Sequence, residues 1–321
     1  MSPTVSICIP CYNHGQYLKA AIDSALAQDY PHIEVIVSNN ASTDNTAMVM
    51  ASYENNSLVR LIHQPTLLSM TDHWNSFQKT AKGDWVMVLC SDDILLPNAI
   101  KQCINTINTQ PSIDSVFFEY NYLQSDKVPD QVIEKTPFYQ SSALIAAKEQ
   151  FLIFLKGNNF PLTAALIKRS QLDQLNWFDT SHQFCADWRM WTQLTASTKS
   201  PYIGYIKTPL FLYRQHDQTE TLKCISKKTT IGEIQKMKDF FINKHCPPEL
   251  RAIYSALAQL GTAKLAAKYR DICKSLSQTE LETYYENCYQ SLSHIEIDIA
   301  PQNKHVRAPY ELPPNSVELC L

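Results

Sequence analysis

The chain has 321 residues, of which 45% are hydrophobic and 18% are charged, and its formal net charge is −3. This composition is typical of a folded protein with one large or two moderate cores, and it excludes a wholly disordered chain. The small net charge gives no electrostatic basis for nucleic acid as a partner. No apolar run approaches the ~20 residues that span a bilayer, so no transmembrane helix is predicted.

The ten cysteines are scattered along the chain, and several fall inside predicted strands or helices. Cys8 and Cys11 have CxxC spacing, but no second pair completes a zinc site. Buried, reduced thiols are the simpler interpretation, and they indicate a cytoplasmic protein. The N-terminus enters a predicted strand with no basic segment before it, so no signal peptide is expected.

The first 110 residues alternate between predicted strands and predicted helices. Apolar runs rich in β-branched residues predict the strands, and apolar residues at helical spacing predict the helices. The alternation indicates an α/β fold with a doubly wound, mostly parallel sheet and helices on both faces. The predicted strands are residues 5–9, 33–38, 59–63 and 85–89, and the predicted helices are residues 16–28, one that ends at 53, 70–82 and 97–109.

Polar segments follow three of these strands, at residues 10–13, 39–44 and 91–93. In sheets of this kind, ligands bind beyond the carboxyl ends of the strands. Because the three segments follow strands of one sheet, we expect them to converge on one binding site.

The adjacent carboxylates Asp92 and Asp93 come directly after a predicted buried strand. Neighbouring carboxylates repel each other and are costly to desolvate, so a cation is expected beside them. The alternative is helix capping, with Pro97 as the first helical residue, but the cap would then fall at Leu96. We therefore favour a divalent metal that carries a phosphorylated ligand.

The pattern is mixed from residue 111 to 219 and helical from residue 224 onward. The polar segment 121–142 is predicted to be a long loop of the kind that covers a substrate. The tail after residue 300 contains four prolines and is expected to be extended. The other predictions are strands at 115–120 and 162–167, extended segments over 203–213, helices at 148–156, 187–195 and 278–292, and two helical faces formed by Ile231, Ile234, Met237 and Phe241 and by Ile253, Ala256, Leu257 and Leu260.

Five segments, in the same order, resemble the family 2 glycosyltransferases, which have the GT-A fold. VSICIPCYNHGQYLKAAIDSALAQDY is similar to that family's first strand, P-x-Y-N turn and first helix, and EVIVSNNASTDNT to its second strand and loop. NSFQKTAKGDWVMVLCSDDILLP resembles the segment that leads into the metal-binding DxD motif. WFDTSHQFCADWRMW resembles the acceptor-side region with the (E)D motif, and PLFLYRQH matches the frequent YRxH ending. The resemblance covers about residues 5–217 and leaves out the helical C-terminal third.

The resemblance implies a metal-dependent inverting glycosyltransferase of bacterial surface polysaccharide assembly, working at the cytoplasmic face of the membrane. Its donor would be a nucleotide-sugar, with a UDP-sugar favoured, its acceptor a saccharide or lipid-linked hydroxyl, and its cofactor Mn²⁺ or Mg²⁺. Residues 1–110 would form the nucleotide-sugar-binding half, 111–220 the acceptor-binding half, 221–300 a C-terminal helical region and 301–321 an extended tail.

By position, the resemblance also implies the site residues. Asp187 takes the place of the catalytic base, although it could instead cap the helix that follows it. The implied metal ligands are Asp92, Asp93 and His216. The implied donor-binding residues are Pro10, Tyr12, Asn13, Asn39, Asn40, Ser91, Asp92, Asp93, Arg214 and His216.

Two positions depart from the family pattern. Asn39 stands where the family usually has an aspartate that reads the base, so it offers an acceptor without charge and also donors. Cys90 stands where the first aspartate of the metal motif would be, which leaves the metal to Asp92, the diphosphate and water, assisted by Asp93 or His216. These departures keep open an alternative, a non-catalytic sugar-nucleotide-binding or scaffolding relative.

Two other enzyme classes lack their phosphate-binding signature here. A sugar-phosphate nucleotidyltransferase needs a glycine-rich loop after the first strand, and a dinucleotide dehydrogenase needs GxGxxG. The chain has six glycines in total and neither motif.

A lysine-rich helix in the C-terminal third suggests peripheral contact with an anionic membrane. A basic amphipathic helix can lie on such a surface, where a lipid-linked acceptor would be found. The alternative is that its apolar face packs on the catalytic domain and the lysines are solvated. The lysines are Lys227, Lys228, Lys236, Lys238 and Lys244, and the apolar residues are Ile231, Ile234, Met237, Phe240 and Phe241.

Overall fold

The computed structural model describes residues 2–125, 130–181, 184–217, 219–293 and 317–318. Within these ranges, eleven strands form a single sheet and helices flank it. The strands are Val5–Cys11 (β1), Ile33–Asn39 (β2), Val59–His63 (β3), Trp85–Val88 (β4), Ile94–Leu95 (β5), Ser115–Gln124 (β6), Gln131–Ile133 (β7), Ala143–Ala146 (β8), Ala165–Lys168 (β9), Tyr202–Gln215 (β10) and Val317–Glu318 (β11).

The described residues contain eleven α-helices, numbered α1 to α11 in chain order. Three short 3₁₀ helices accompany them, at Ser76–Lys79, Leu162–Ala164 and Pro248–Leu250. The α-helices are Gly15–Leu26 (α1), Thr46–Ala51 (α2), Met70–Asn75 (α3), Ala99–Thr109 (α4), Ala147–Lys156 (α5), Arg169–Gln174 (α6), Ala186–Ser197 (α7), Glu220–Ile225 (α8), Thr230–His245 (α9), Arg251–Ser275 (α10) and Thr279–Ser293 (α11).

The first four strands form the parallel half of the sheet, as the sequence predicts. β1 lies between β2 and β4, and β3 lies beyond β2, all parallel. Their carboxyl ends therefore share one edge. Beyond β4 the sheet is mixed, because β9 runs antiparallel to both β4 and β6, and the order is β11-β8-β10-β6-β9-β4-β1-β2-β3.

The long strand β10 is irregular where it pairs with β6. Gly204 lies opposite Val116, but Gln215 lies opposite Gln124, and the register shifts on both sides of Pro209. After the shifts, β10 also pairs with β5. The prediction of extended segments broken at Pro209 is thus resolved into one bulged strand.

Several predicted boundaries are wrong for local reasons. Pro97 is not the first helical residue, because its carbonyl accepts the Asp29 N–H and α4 begins at Ala99. The helix predicted over 70–82 ends at Asn75 and continues as a 3₁₀ turn. The strand predicted from 162 begins with another 3₁₀ turn and becomes extended only at Ala165.

The segment 121–142 is not a single long loop. β6 continues through Gln124, and β7 pairs with its end. The Asn121 Oδ1 atom accepts the Lys135 N–H at 3.1 Å, which ties the segment after β7 back to β6. Residues 126–129 lie outside the described ranges.

The C-terminal helices form a second small core next to the main one. The face predicted for α9 is buried, with Ile234, Met237 and Phe241 fully enclosed. Lys238 does not fit the predicted solvated face, because it is 2% exposed and pairs with oxygens of three other residues. In α10 the buried face is instead Ala258, Thr262, Ala263, Ala266, Tyr269 and Cys273.

The structure bears on three further sequence expectations. None of the described helices combines the length and the apolar character needed to cross a lipid bilayer. The nine cysteines in the described ranges are free thiols, and seven of them are buried. The expected extended tail lies outside the described residues except for β11, which pairs with β8.

Candidate active site

Asn13 joins the loop after β1 to the loop after β2 by two hydrogen bonds. Asn13 has a φ of 53°, a left-handed conformation that asparagine tolerates better than most residues. Its N–H donates to Ser42 Oγ at 2.9 Å, and its Oδ1 accepts the Thr43 N–H at 2.8 Å. These bonds tie the loop after β1 to the loop after β2, so Pro10, Tyr12 and Asn13 lie beside residues 39–44.

Gly15 is required where α1 begins beside the second loop. Asp44 Oδ2 accepts the Gly15 N–H at 2.8 Å. A Cβ atom at position 15 would lie 2.2 Å from Asn45 Oδ1 and 2.7 Å from the Thr46 nitrogen. The close approach fixes the start of α1 against the loop after β2.

Asn39 and Asn40 have different surroundings at the end of β2. The Asn39 Oδ1 atom accepts the Ser42 N–H at 2.8 Å. Asn40 donates from Nδ2 to the Leu68 carbonyl at 3.0 Å and accepts the Leu68 N–H at 2.9 Å. Both ends of the Asn40 amide therefore hold the chain after β3, while the Asn39 amide faces its own loop.

Three side chains place possible metal-binding atoms together after β1, β4 and β10. The ligand atoms of His14, Asp92 and His216 all lie within 4.8 Å of one another. His216 Nε2 is 3.0 Å from Asp92 Oδ2, and His14 Nδ1 is 3.2 Å from Ser91 Oγ. The structure thus brings the predicted ligands Asp92 and His216 together and adds His14, which the sequence analysis missed although it directly follows the P-x-Y-N turn.

The charges in this cluster suit cation binding. Burial alone would raise the pKa of Asp92, but the hydrogen bond with His216 and the charges of His14 and His216 lower it. Burial lowers the pKa of His14, which favours the neutral imidazole that binds metals. The cluster therefore offers one carboxylate and two imidazoles.

Asp93 belongs to a second candidate group, in which its carboxylate and the ligand atoms of Asp92 and Cys90 lie within 4.8 Å of one another. It is 2% exposed, its Oδ2 accepts the Thr163 hydroxyl at 2.7 Å, and its Oδ1 accepts the Arg214 N–H at 3.1 Å. Burial, followed by the charge of Asp92, raises the pKa of Asp93 well above its usual value. Thr163 also accepts the Cys90 N–H at 3.1 Å, so Asp93 and Thr163 tie the loop after β4 to the 3₁₀ helix Leu162–Ala164.

Arg214 holds the same loop from β10. Its Nε donates to the Asp92 carbonyl at 2.8 Å, and its guanidinium lies 4.9 Å from the centre of the Tyr17 ring. One guanidinium nitrogen also bonds Ser125 and pairs with Asp130 at 3.1 Å. The predicted donor-binding residues Ser91, Asp92, Asp93, Arg214 and His216 therefore form one connected group.

Asp187 lies in the first turn of α7. Its Oδ1 accepts the Trp188 N–H at 2.6 Å, and its Oδ2 accepts the Asn158 amide at 3.3 Å. The cap residue of α7 is Cys185, but the side chain of Asp187 does accept an N–H in the first turn, as the capping alternative expects. Burial raises the pKa of Asp187 to about 6, which is close to the range suited to a general base at neutral pH.

Cys90 connects the two parts of the site electrostatically. Its pKa is raised first by burial and then by the charges of Asp93, Asp92 and Asp187. Asp187 therefore acts on the same region as the carboxylates after β4. A cluster of possible metal ligands and a half-buried carboxylate can together position a phosphorylated ligand and accept a proton.

Known proteins resemble this chain in sequence. The family model described as glycosyl transferase family 2 matches residues 6–175. An uncharacterized glycosyltransferase from Rickettsia typhi is 32% identical over 80% of this chain and 77% of its own length. Chondroitin synthase from Pasteurella multocida is 37% identical over 36% of this chain, but the match spans only 12% of the synthase.

Solved structures show the same fold. TarS from S. aureus, in complex with UDP-GlcNAc, superposes with a TM-score of 0.65 at 16% identity and covers 90% of this chain and 80% of that one. The mannosyltransferase PcManGT from Pyrobaculum calidifontis, in complex with GDP-Man and Mn²⁺, has a TM-score of 0.52 at 16% identity and covers 91% and 85%. The fold is GT-A, and the chain belongs to glycosyl transferase family 2.

Proposed function

We propose that this glycosyltransferase is metal-dependent and inverting, and that it moves a sugar from a UDP-sugar to a hydroxyl of a saccharide or lipid-linked acceptor. The observation that carries the proposal is the combination of the His14, Asp92 and His216 cluster with a half-buried carboxylate of raised pKa at Asp187. Each part matches one need of the reaction, a cation beside the leaving group and a base beside the acceptor.

His14, Asp92 and His216 would hold the cation. A cation bound there would supply positive charge to the two phosphates that leave with the nucleotide. Two imidazoles and one carboxylate are a softer donor set than the all-oxygen sites of Mg²⁺, so of the two expected cations the cluster favours Mn²⁺ over Mg²⁺.

Asp187 would act on the acceptor. Its carboxylate accepts the proton of the acceptor hydroxyl while that oxygen forms a bond to the anomeric carbon. The bond from the anomeric carbon to the phosphate oxygen breaks in the same step, and the nucleoside diphosphate leaves with its electron pair. A single displacement inverts the configuration at the anomeric carbon.

The choice of a UDP-sugar and of polysaccharide assembly rests on relatives. TarS binds UDP-GlcNAc, PcManGT binds GDP-Man with Mn²⁺, and one matching relative is a chondroitin synthase. An anionic membrane contact would rest on exposed lysines such as Lys236 and Lys244 and on Phe240, which is 44% exposed, because the other apolar residues predicted for this face of α9 are buried. Co-sedimentation with anionic liposomes at low and high salt tests that contact, and no binding at low salt would exclude it.

The test of the function begins with binding. We expect UDP to stabilise the chain against heat in the presence of Mn²⁺ and to do so less without it. The wild type should then release UDP slowly from UDP-GlcNAc, with water as acceptor, or release the corresponding nucleoside diphosphate from another donor in a panel that includes GDP-mannose. Binding without turnover of any donor, even with added acceptors, would favour the non-catalytic alternative, to which Cys90 points.

A further inference from the structure

Glu233 of α9 supplies the hydrogen-bond acceptor that α7 lacks at its N-terminus. Cys185, the cap residue of α7, makes no side-chain capping bond. Instead, Glu233 Oε1 accepts the Phe184 N–H at 2.9 Å and the Cys185 N–H at 3.2 Å, and it lies 3.4 Å from Cys185 Sγ. A carboxylate at a helix N-terminus is also favoured by the helix dipole. Asp187 follows two residues later, so this contact fixes the backbone that carries it.

Lys238, about one and a half turns further along α9, holds the segment that leads to Asn158, the residue that bonds the carboxylate of Asp187. Its Nζ donates to the Ala258 carbonyl at 2.9 Å, to Thr262 Oγ1 at 2.8 Å and to the Lys156 carbonyl at 3.1 Å. Three oxygen acceptors match the three donors of an ammonium group. Lys156 ends α5, and Asn158, two residues later, donates to the carboxylate of Asp187.

The same point of α5 is held by α10. A Cβ atom at Gly261 would lie 2.0 Å from the Lys156 carbonyl oxygen. The backbones of α10 and α5 therefore approach so closely that only glycine fits. The end of α5, and with it the chain that leads to Asn158, is fixed from two C-terminal helices.

We propose that Glu233 and Lys238 are positioning residues for the catalytic base, so that the C-terminal helical region completes the active site. Glu233 orients the backbone of Asp187, and Lys238 orients the partner that bonds its carboxylate. Both residues lie beyond residue 175, where the family match ends. The proposal rests on the assignment of Asp187 as the base.

Variants of Glu233 separate this role from a general structural one. Glu233→Ala removes the acceptor, whereas Glu233→Gln retains an oxygen that can accept both N–H groups. Asp239→Ala is the matched control, because Asp239 is an exposed acidic residue on the same helix. Gly261→Ala is an independent variant that displaces the Lys156 carbonyl without touching Glu233.

The measurement is the release of UDP from UDP-GlcNAc by the full chain with Mn²⁺, together with the affinity for UDP. Glu233→Ala should lower kcat by about 10–100-fold, the cost of misplacing a catalytic group by about 1 Å, while KM and UDP affinity stay unchanged. Glu233→Gln should recover most of the rate, Gly261→Ala should lower kcat, and Asp239→Ala should match the wild type.

The outcomes distinguish the two hypotheses. If the wild type releases UDP and Asp187→Asn does not, but Glu233→Ala keeps its kcat, the positioning role is refuted and the proposed function stands. Equal losses of kcat and UDP affinity in Glu233→Ala, with no recovery in Glu233→Gln, would also refute it. A wild type that releases nucleotide from no donor refutes the proposed function and this inference together.

Discussion

Replacing Asp187 with asparagine should stabilise the protein at about pH 8 while it removes the proposed base. Burial raises the pKa of Asp187 to about 6 from the 3.8 of an ordinary aspartate. A difference of about two pH units corresponds to about 3 kcal/mol by which burial penalises the charged side chain. The neutral amide of asparagine avoids this penalty.

Hydrogen bonding reduces the expected gain. The new Oδ1 can still accept the Trp188 N–H, which now donates to Asp187 at 2.6 Å. The new Nδ2 would face the amide of Asn158, which donates to Asp187 at 3.3 Å and whose oxygen accepts the Phe160 N–H. Losing that long bond costs about 1 kcal/mol, so we expect a net stabilisation of about 2 kcal/mol.

The pH dependence identifies the cause. Because the pKa of Asp187 is raised in the folded state, its ionisation lowers the free energy of unfolding as the pH rises through about 6. The penalty should therefore fall from about 3 kcal/mol near pH 8 to about 1.5 kcal/mol near pH 5. Urea unfolding of wild type and Asp187→Asn at both pH values measures it. A variant that is less stable at pH 8, or a difference that does not change with pH, would refute the reasoning.

Three further predictions concern activity. At saturating donor and Mn²⁺, kcat should fall below an apparent pKa of about 6, as Asp187 becomes protonated, and a rate that is flat down to about pH 4.5 would contradict it. Asp92→Asn should abolish Mn²⁺-dependent binding of UDP, and His14→Ala should weaken it. Asp93→Asn should weaken Mn²⁺ binding less, because both Asp93 oxygens are bonded within the protein. Calorimetry with Mn²⁺ and UDP measures the affinity of all three variants. Asn39→Asp should increase the preference for UDP over CDP. The new carboxylate can still accept the Ser42 N–H, and it adds an acceptor for the N3–H of uracil. An unchanged nucleotide profile would show that this position does not contact the base.

The parallel half of the sheet could be predicted from the sequence because its information is local. Apolar strands alternate with amphipathic helices there, and the polar segments that end the strands are only a few residues long. The edge at which Asp92 lies follows from that pattern alone. His14 was missed because a histidine after a turn has no periodic signal, and its proximity to His216 depends on the far end of the chain.

The C-terminal contribution could not be predicted for the same physical reason. Glu233 bonds residues 48 and 49 positions away, and Lys238 bonds Lys156 across 82 positions. A lysine within an amphipathic pattern predicts a solvated side chain, because the pattern contains no record of the oxygens that surround it. Only the packing of α9 against α5, α7 and α10 makes Lys238 a buried donor.

The bulge in β10 makes an exposed part of this strand unusually intolerant of insertions and deletions. Lys207 and Thr208 are exposed, and such positions ordinarily accept changes of length. Here β10 gains three residues relative to β6 between Gly204 and Gln215 (offsets of 88 and 91), an odd number. Side chains alternate between the two faces of a strand. An insertion or deletion of one residue at this bulge would therefore move every later side chain of β10 to the opposite face, unless the strand slipped against β5 and β6. Arg214 and His216 would then turn away from the loop that carries Asp92, so a homologue with a one-residue gap at this bulge would need other residues to contact Asp92.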